Sequence, residues 1–309
     1  MVVLLARALP LSSVAALVVA ISSPYAPVLV LSGVAFAVLS RRPILSTSSA
    51  VMVLVLLAFQ VPWYYLGRPE NIARNVTLKV VASNLRNGEA DASAFVGMVR
   101  DAADVICVSE LTPEEVVRFR LAGIENQFPY FVLKPAPDAA GVGLWSRFPL
   151  KEFVWADGRT TGSAARLRVP GVRFDVVVAS VHVISPIAFG LTSFGEWQAH
   201  MTATKAQLES LSRSDEPAAV IVAGDFNSTV DMRQFRDLLG SGYRDAVEQT
   251  GAGFAPTYPA SRLVPPLITI DHVLTERASA VSVKTLSVGG SDHRALAAAV
   301  DVPSDPTAP

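Results

Sequence analysis

The stretch "AAVIVAGDFNST", residues 218–229, decides how the chain is read. Ala218–Ala223 is small, β-branched and apolar throughout, the composition of a strand buried on both faces. Gly224, Asp225, Phe226 and Asn227 follow. Two polar residues set one position apart point to the same side if the backbone stays extended. Taken alone, either residue equally satisfies a turn. The choice between these readings rests on the rest of the chain.

The same event recurs. Asn84 lies at the end of a strand expected at 78–85, Glu110 at the end of 104–111, His182 at the end of 174–183 and Asp225 just after 218–224. Asp271 and His272 sit in "TIDHVLT" (269–275), and Asp292 and His293 stand before "ALAAAVDV" (295–302). Further strands are expected at 130–135, 141–147, 165–169 and 281–288. Helices are expected at 91–103, 113–122, 196–212 and 231–240, with Pro113 suited to a first turn. Pro170-Gly171 marks a turn between two strands. Hairpins mixed with strand–helix alternation predict an α/β sandwich of mixed sheets over 76–302, not a purely parallel doubly wound sheet. "PSDPTAP" (303–309) reads as a disordered tail.

Each polar strand end has a plain explanation of its own: a satisfied turn, a structural histidine, a solvated helix start. Together they suit one reaction. Glu110 offers hard carboxylate oxygens to Mg²⁺ or Mn²⁺, and Asp292 is a second carboxylate for the same ion. Asp225 can take a proton from an attacking water, and the Asn227 amide can donate to a phosphoryl oxygen. His293 can donate to phosphate or protonate a leaving group, with Asp271 as the partner that keeps it charged. A divalent ion neutralises phosphate charge. His272, next to Asp271, should point away on a regular strand and serve the core or a sheet edge.

The chain has 309 residues, 51% of them hydrophobic, and a formal net charge of −1. Residues 1–67 hold only Arg7, Arg41 and Arg42 as charged side chains. The remainder carries 23 Lys and Arg against all 27 Asp and Glu, a net charge of −4. That balance lacks the basic footprint of nucleic-acid binding, and no stable nucleic-acid complex is expected. Cys107, the one cysteine, can form no internal disulfide and reads as a small core residue.

Three apolar blocks, at about 8–23, 25–40 and 44–61, predict three transmembrane helices in an anchor of residues 1–66. A cleaved signal peptide would account for the first block but not for the two that follow. Arg7 and "SRRP" (40–43) on the cytoplasmic side place everything after the third span outside, with "WYY" (63–65) as an interfacial anchor. "GRPENIARN" (67–75) reads as a linker. The expected location is therefore a multi-pass membrane protein with an extracytoplasmic catalytic domain.

With these motifs in order, "SNLRNG" (83–88), "VSELTPE" (108–114), "GVGLWSRFPL" (141–150), "SVHV" (180–183), "GDFN" (224–227), "IDHVL" (270–274) and "SDHRAL" (291–296), the chain resembles the endonuclease/exonuclease/phosphatase superfamily. The resemblance covers about 76–302 and implies a four-layered α/β sandwich with its active site at the strand ends of two facing sheets. It also implies that Asn84, Glu110 and Asp292 hold a metal and that Asp225 activates or orients water. Asn227 and His182 would then stabilise the phosphoryl group, and Asp271 would orient His293. The layout is similar to actinobacterial membrane phosphatases linked to teicoplanin resistance.

Such a resemblance carries phosphoester chemistry rather than a substrate. The apolar segment "ISPIAFGLTSFGEW" (184–197) follows His182. Its Phe189, Leu191, Phe194 and Trp197 either pack a loop against the sheets or form a lip for a lipid chain. With the membrane anchor, the second reading favours a lipid-linked phosphate or pyrophosphate, with the lipid bilayer as the partner. A tethered nuclease and a sphingomyelinase-like phosphodiesterase remain the alternatives.

Overall fold

The computed structural model describes residues 2–70, 72, 74–153, 155, 160–188, 192–213, 216–261 and 263–307. The apolar amino-terminal region is helical: α1 (Val2–Ala8), α2 (Val14–Ile21), α3 (Ala26–Leu39) and α4 (Pro43–Tyr65). Then follow β1 (Asn75–Asn84), α5 (Ala92–Ala102), β2 (Val105–Ser109), α6 (Pro113–Leu121), β3 (Tyr130–Lys134), β4 (Val142–Ser146), β5 (Leu150–Phe153), β6 (Thr161–Leu167) and β7 (Val176–His182). The chain continues through α7 (Ser193–Ser212), β8 (Val220–Asp225), α8 (Arg233–Leu239), β9 (Arg244–Asp245), α9 (Ala246–Thr250), β10 (Asp271–Glu276), β11 (Ser279–Ser287) and β12 (Arg294–Pro303).

The strands form two six-stranded mixed sheets, ordered β11-β12-β1-β2-β4-β3 and β5-β6-β7-β8-β10-β9. Every residue of β7 and β8 is buried, which explains their unbroken apolar sequence: they are central strands covered on both faces. One core lies between the sheets, with Val80, Ala82, Cys107, Val178, Ile221 and Leu296 among its members. A second packs α5 and α6 on the first sheet through Phe95, Val99 and Phe119, and a third packs α7 and α8 on the second through Trp197, Met201 and Phe235. Helix, sheet, sheet, helix gives the expected four layers.

Strand direction creates the site. β1 and β2 are parallel, as are β7 and β8, whereas β12 runs antiparallel to β1 and β10 antiparallel to β8. The carboxyl ends of the parallel strands and the amino ends of β10 and β12 therefore share one edge. Asp225 is the register partner of both His182 and Asp271, and Asn84 pairs with Ser109. Across the gap between sheets, Ser180 Oγ donates to Val108 O at 3.1 Å, fixing one sheet against the other close to that edge.

The amino-terminal region departs from the three-span expectation. The first apolar block divides into α1 and α2, of 7 and 8 residues, neither long enough to cross a bilayer. Among the described residues, α4, with 23 residues, is the one helix long enough for a span by itself; α2 and α3 make a second as one path bent by 42°. The reason is that α1 and α2 are built into the catalytic domain. Leu11, Leu17 and Ala20 are buried in the same core as Trp197, Met201 and Phe235. Each buried leucine contributes roughly 1.5–3 kcal/mol. Arg7 forms a buried ion pair with Asp231, and the Arg236 guanidinium donates to Arg7 O. Gln198 and Gln234 both donate to Leu11 O, at 2.8 and 3.0 Å. Arg7 is thus a neutralised docking residue rather than a free charge that sets topology.

By contrast, α3 and α4 form a hairpin with exposed Leu29, Phe36, Leu39, Leu54 and Phe59, and Arg41 and Arg42 stand at its turn. Its base is tied to the domain: Tyr25 Oη donates to Leu267 O at 2.5 Å, and Gly253 N donates to Tyr64 O at 2.7 Å. Of the expected aromatic anchor, Trp63 and Tyr64 pack onto the domain, Tyr64 edge-on to Phe254, and only Tyr65 is exposed. At the other end, residues 304–307 read from the sequence as a free tail, yet Arg173 donates to Asp305 at 2.8 Å and Ser304 N donates to Arg74 O at 2.9 Å. Residues 308 and 309 lie outside the described residues.

Candidate active site

The backbone at the shared edge is shaped to expose side chains. Gly224 has φ +152°, and a Cβ there would lie 1.9 Å from Val181 O, so the turn out of β8 requires glycine. Glu110 and Asn227 both take left-handed φ values, +60° and +45°, as do Arg86 and Asn87 at +50° and +49°. Such conformations cost about 1–3 kcal/mol each and persist where surrounding structure holds them.

Asp225 is fully buried and is the hub of the site. The Asn227 backbone N–H donates to its Oδ1 at 2.7 Å, and Asn227 Nδ2 donates to Oδ2 at 3.1 Å. Asn84 Nδ2 donates to the same Oδ2 and to Glu110 Oε1, each at 2.9 Å, which joins the two sheets through a single amide. Asn87 N donates to Glu110 Oε2 at 2.7 Å. Burial, with the charge of Asp271 added, pushes the Asp225 carboxyl up to about 6, against the pull of His293, His182 and Asn84.

His293 Nδ1 donates to Asp271 Oδ2 at 2.9 Å, and its Nε2 lies 3.9 Å from Asp225 Oδ2. Burial by itself would lower the imidazole, but Asp271, Asp225 and Asp292 outweigh it and raise His293 to about 10. The ring is therefore charged at neutral pH. Ser291 Oγ accepts from His293 N and donates to Asn84 O, which fixes the turn between the sheets. His182 Nδ1 donates to Ala139 O at 2.8 Å, leaving Nε2 3.8 Å from both Glu110 and Asp225.

All eight residues expected from the sequence thus gather at one edge. Glu110, His182, Asp225, Asn227, Asp292 and His293 line one cavity, Asn84 bridges two of them, and Asp271 lies behind His293. Two details differ from expectation. Both amide protons of Asn227 are engaged, by Asp225 and by Val183 O, so it positions Asp225 before it can serve a substrate. Asn84 turns Nδ2 to the acids while its oxygen accepts from Arg86 N at 2.8 Å, so it braces Glu110 instead of presenting oxygen to an ion.

Two arrangements suit a cation. Asp225, Asp271 and His293 bring one ligand atom each within 4.8 Å of the others. In this trio His293 Nδ1 is held by Asp271, and Nε2 lies toward Asp225 at 3.9 Å. Glu110 and Asp292 are two further acids that line the cavity, and Asp292 makes no side-chain hydrogen bond or ion pair among the described residues. Hard oxygen donors of this kind suit Mg²⁺ or Mn²⁺.

Tyr258, Asn87 and Asp138 also line the cavity and were not singled out from the sequence. The Tyr258 ring lies 4.9 Å from that of His293; burial and then the charges of Asp292, Asp225 and Glu110 raise its phenol, which stays protonated. It stands in an irregular segment, where no strand pattern marks it. His200 also lines the cavity, with Nε2 3.2 Å from Thr161 N and Nδ1 3.0 Å from Ile184 N; its neutral ring accepts from one of the two. His272 points away from the cavity, as expected, and is fully buried, with Nδ1 2.6 Å from Asp245 Oδ2 and Nε2 donating to Ser228 O at 2.9 Å. Of the expected lip, Phe194 and Trp197 are buried in the core, where Trp197 Nε1 donates to Ser228 Oγ, so they pack rather than meet a ligand. Phe189 and Leu191 lie outside the described residues.

Comparison with known proteins agrees with this geometry. Residues 71–293 match the model of the endonuclease/exonuclease/phosphatase family. Among curated proteins, none matches the sequence. Among solved structures, the 3′ phosphatase NExo from Neisseria, bound to a product DNA hairpin, is similar with a TM-score of 0.56 at 17% identity, over 72% of this chain and 98% of that one. TDP2 from D. rerio, complexed with a single-strand DNA product, gives 0.57 at 15% identity over 72% and 98%. Sphingomyelinase C from Streptomyces griseocarneus gives 0.54 at 17% identity over 72% and 99%. These likenesses establish a shared fold, and the match across most of the chain establishes kinship: this protein belongs to the endonuclease/exonuclease/phosphatase family, whose members hydrolyse phosphoester bonds.

Proposed function

We propose that the protein is a divalent-metal-dependent hydrolase of a lipid-linked phosphate or pyrophosphate at the outer face of a membrane. One observation carries this reading: the cavity that gathers the acids and imidazoles is also lined by Leu17 and Ile21 of the amino-terminal apolar segment. Catalytic groups and membrane-proximal helix share one wall.

Glu110 and Asp292 would hold Mg²⁺ or Mn²⁺, braced by Asn84, and the ion would supply charge neutralisation at the phosphate. Asp225, ionised above about pH 6, accepts the proton of the attacking water. As it does so its hydrogen bond from Asn227 weakens, which releases that amide to a phosphoryl oxygen. His293, charged and oriented by Asp271, donates to the phosphoryl group or to the leaving oxygen, and His182 offers Nε2 from the opposite sheet.

Nuclease action is the second reading, since two of the similar structures hold DNA products. Among the described residues lining the cavity, Arg86 is the one Arg or Lys, against Glu110, Asp138, Glu196, Asp225 and Asp292. A duplex phosphate backbone requires the opposite balance. Sphingomyelinase-type cleavage would use the same groups on a phosphodiester lipid.

Arg41 and Arg42 at the α3–α4 turn support a reading in which that turn is cytoplasmic and the domain at the hairpin base faces out. The test is full-length protein in lipid vesicles given polyprenyl pyrophosphate, sphingomyelin, inositol phosphate and plasmid DNA. Phosphate release from the lipid pyrophosphate, dependent on Mg²⁺ or Mn²⁺, is expected. Plasmid nicking without turnover of any lipid phosphate would overturn the reading.

A further inference from the structure

The cavity has two chemically different ends. One holds Glu110, Asp225, Asp292 and His293. The other includes Leu17 and Ile21 of α2 and, on α7, Ala199, Ala203 and Ala206, interspersed with Glu196, His200 and Thr202. The segment Ile184–Ala188 and the residues Met232, Ile268 and Ile270 also line it, and the whole encloses about 1760 Å³. Ala199, Ala203 and Ala206 lie three or four residues apart, on one helical face. Small side chains there leave room where larger ones would fill the space between the two helices.

The rim of the cavity carries exposed apolar side chains and is joined to the amino-terminal hairpin. Ile187, in the lining, is 61% exposed, and Leu267, next to the lining residue Ile268, is 40% exposed. Leu267 O accepts from Tyr25 at the base of α3, which places this rim where the hairpin leaves the domain. On the outer side of α1 and α2, Val2, Leu5, Leu9 and Val18 are exposed as well. An apolar rim continuous with a bilayer-inserting hairpin lets a hydrocarbon chain pass from lipid to cavity without crossing water.

We infer that the trough between α2 and α7 seats the hydrocarbon chain of a phosphorylated lipid while its phosphate reaches Asp225 and His293. This rests on the lipid-phosphate reading above and adds to it a binding site for the chain. The amphiphile matches the cavity: a charged head at the polar end and an apolar tail along α2. A soluble phosphate ester or a nucleic acid would leave the apolar half in water. Burial of each CH₂ of the chain there strengthens binding several-fold.

The test uses full-length protein in phosphatidylcholine vesicles and a polyprenyl pyrophosphate with a photoreactive diazirine in its chain. Adducts are mapped by mass spectrometry, and phosphate release is measured in parallel. Adducts within 14–21 and 199–206, displaced by unlabelled polyprenyl pyrophosphate, are expected. Ala203→Trp, which fills the trough from a partly exposed helical position, should lower both adduct yield and turnover at least ~10-fold. Ser210→Trp, on an exposed position of α7 outside the cavity, should change neither. Phosphate release with adducts confined to the outer faces of α3 and α4 would overturn the chain site while sparing the hydrolase reading. Saturable adducts in the trough without phosphate release would support the chain site and sink the hydrolase reading. Absence of both would end both.

Discussion

Asp271 and His293, 22 positions apart, meet in a 2.9 Å hydrogen bond between Oδ2 and Nδ1 behind the cavity. The bond has a kinetic consequence. Burial opposes the His293 charge, and Asp271 is the largest influence restoring it, giving a value of about 10. If activity needs Asp225 ionised and His293 protonated, the rate rises through about pH 6 and falls near about pH 10. Asp271→Asn keeps the shape and removes the charge. Its alkaline limb should move down by at least ~1 pH unit, beyond any loss of rate. Measured pH–rate profiles check this, and an unshifted alkaline limb in the variant would exclude His293 as the titrating donor.

The Asp245–His272 pair stabilises without touching the cavity. Burial lowers the His272 imidazole, but the Asp245 charge and hydrogen bond and the Ser228 carbonyl raise it overall. A group raised on folding contributes stability in full below its unfolded value of 6.5 and loses it as pH climbs through the folded value. Asp245→Asn keeps the cap on Val247 N but removes the charge. It should cost roughly 3–5 kcal/mol below about pH 6.5, and less in alkaline solution. Thermal melts across pH would show the gap between wild type and variant narrowing as pH rises; a constant gap would mean the ring is neutral.

Separating the domain from its amino-terminal helices should fail. A fragment of residues 68–309 uncovers Trp197, Met201 and Phe235 and leaves Asp231 buried without Arg7. An uncompensated buried charge costs roughly 3–5 kcal/mol, beside the lost burial of Leu11 and Leu17. The fragment should aggregate or melt well below full-length protein, with partial recovery in Asp231→Asn. Equal melting temperatures would contradict the integral role of α1 and α2.

Much of the site was legible because it depends on local punctuation. A strand that ends in Asn84, Glu110, His182 or Asp225 shows its polar residue in a short window, and the order of motifs supplied the convergence. The partners of those residues were less legible. Asn84 braces Glu110 and Asp225 from 26 and 141 positions away, and nothing near Asn84 says which of its amide atoms faces them. The amino-terminal blocks misled for a physical reason: apolar composition is shared by a helix facing lipid and a helix facing a core. Leu17 is buried in the core that also holds Trp197, whereas Leu29 and Phe36 are exposed, and composition does not separate the two cases. Arg7 looked like a topological charge because its neutralising partner, Asp231, is remote in sequence. The short elements β5, β9 and α9 carry too few residues for periodicity to mark them.

The most direct test of convergence on one phosphoryl group is phosphate release from polyprenyl pyrophosphate by full-length wild type, Asp225→Ala and His293→Ala, each with Mg²⁺ and each with a chelator. Wild type should turn over only with the ion, and each variant should lose at least ~100-fold while its melting temperature stays within a few degrees of wild type. Turnover retained by both variants, or undiminished by the chelator, would contradict the account.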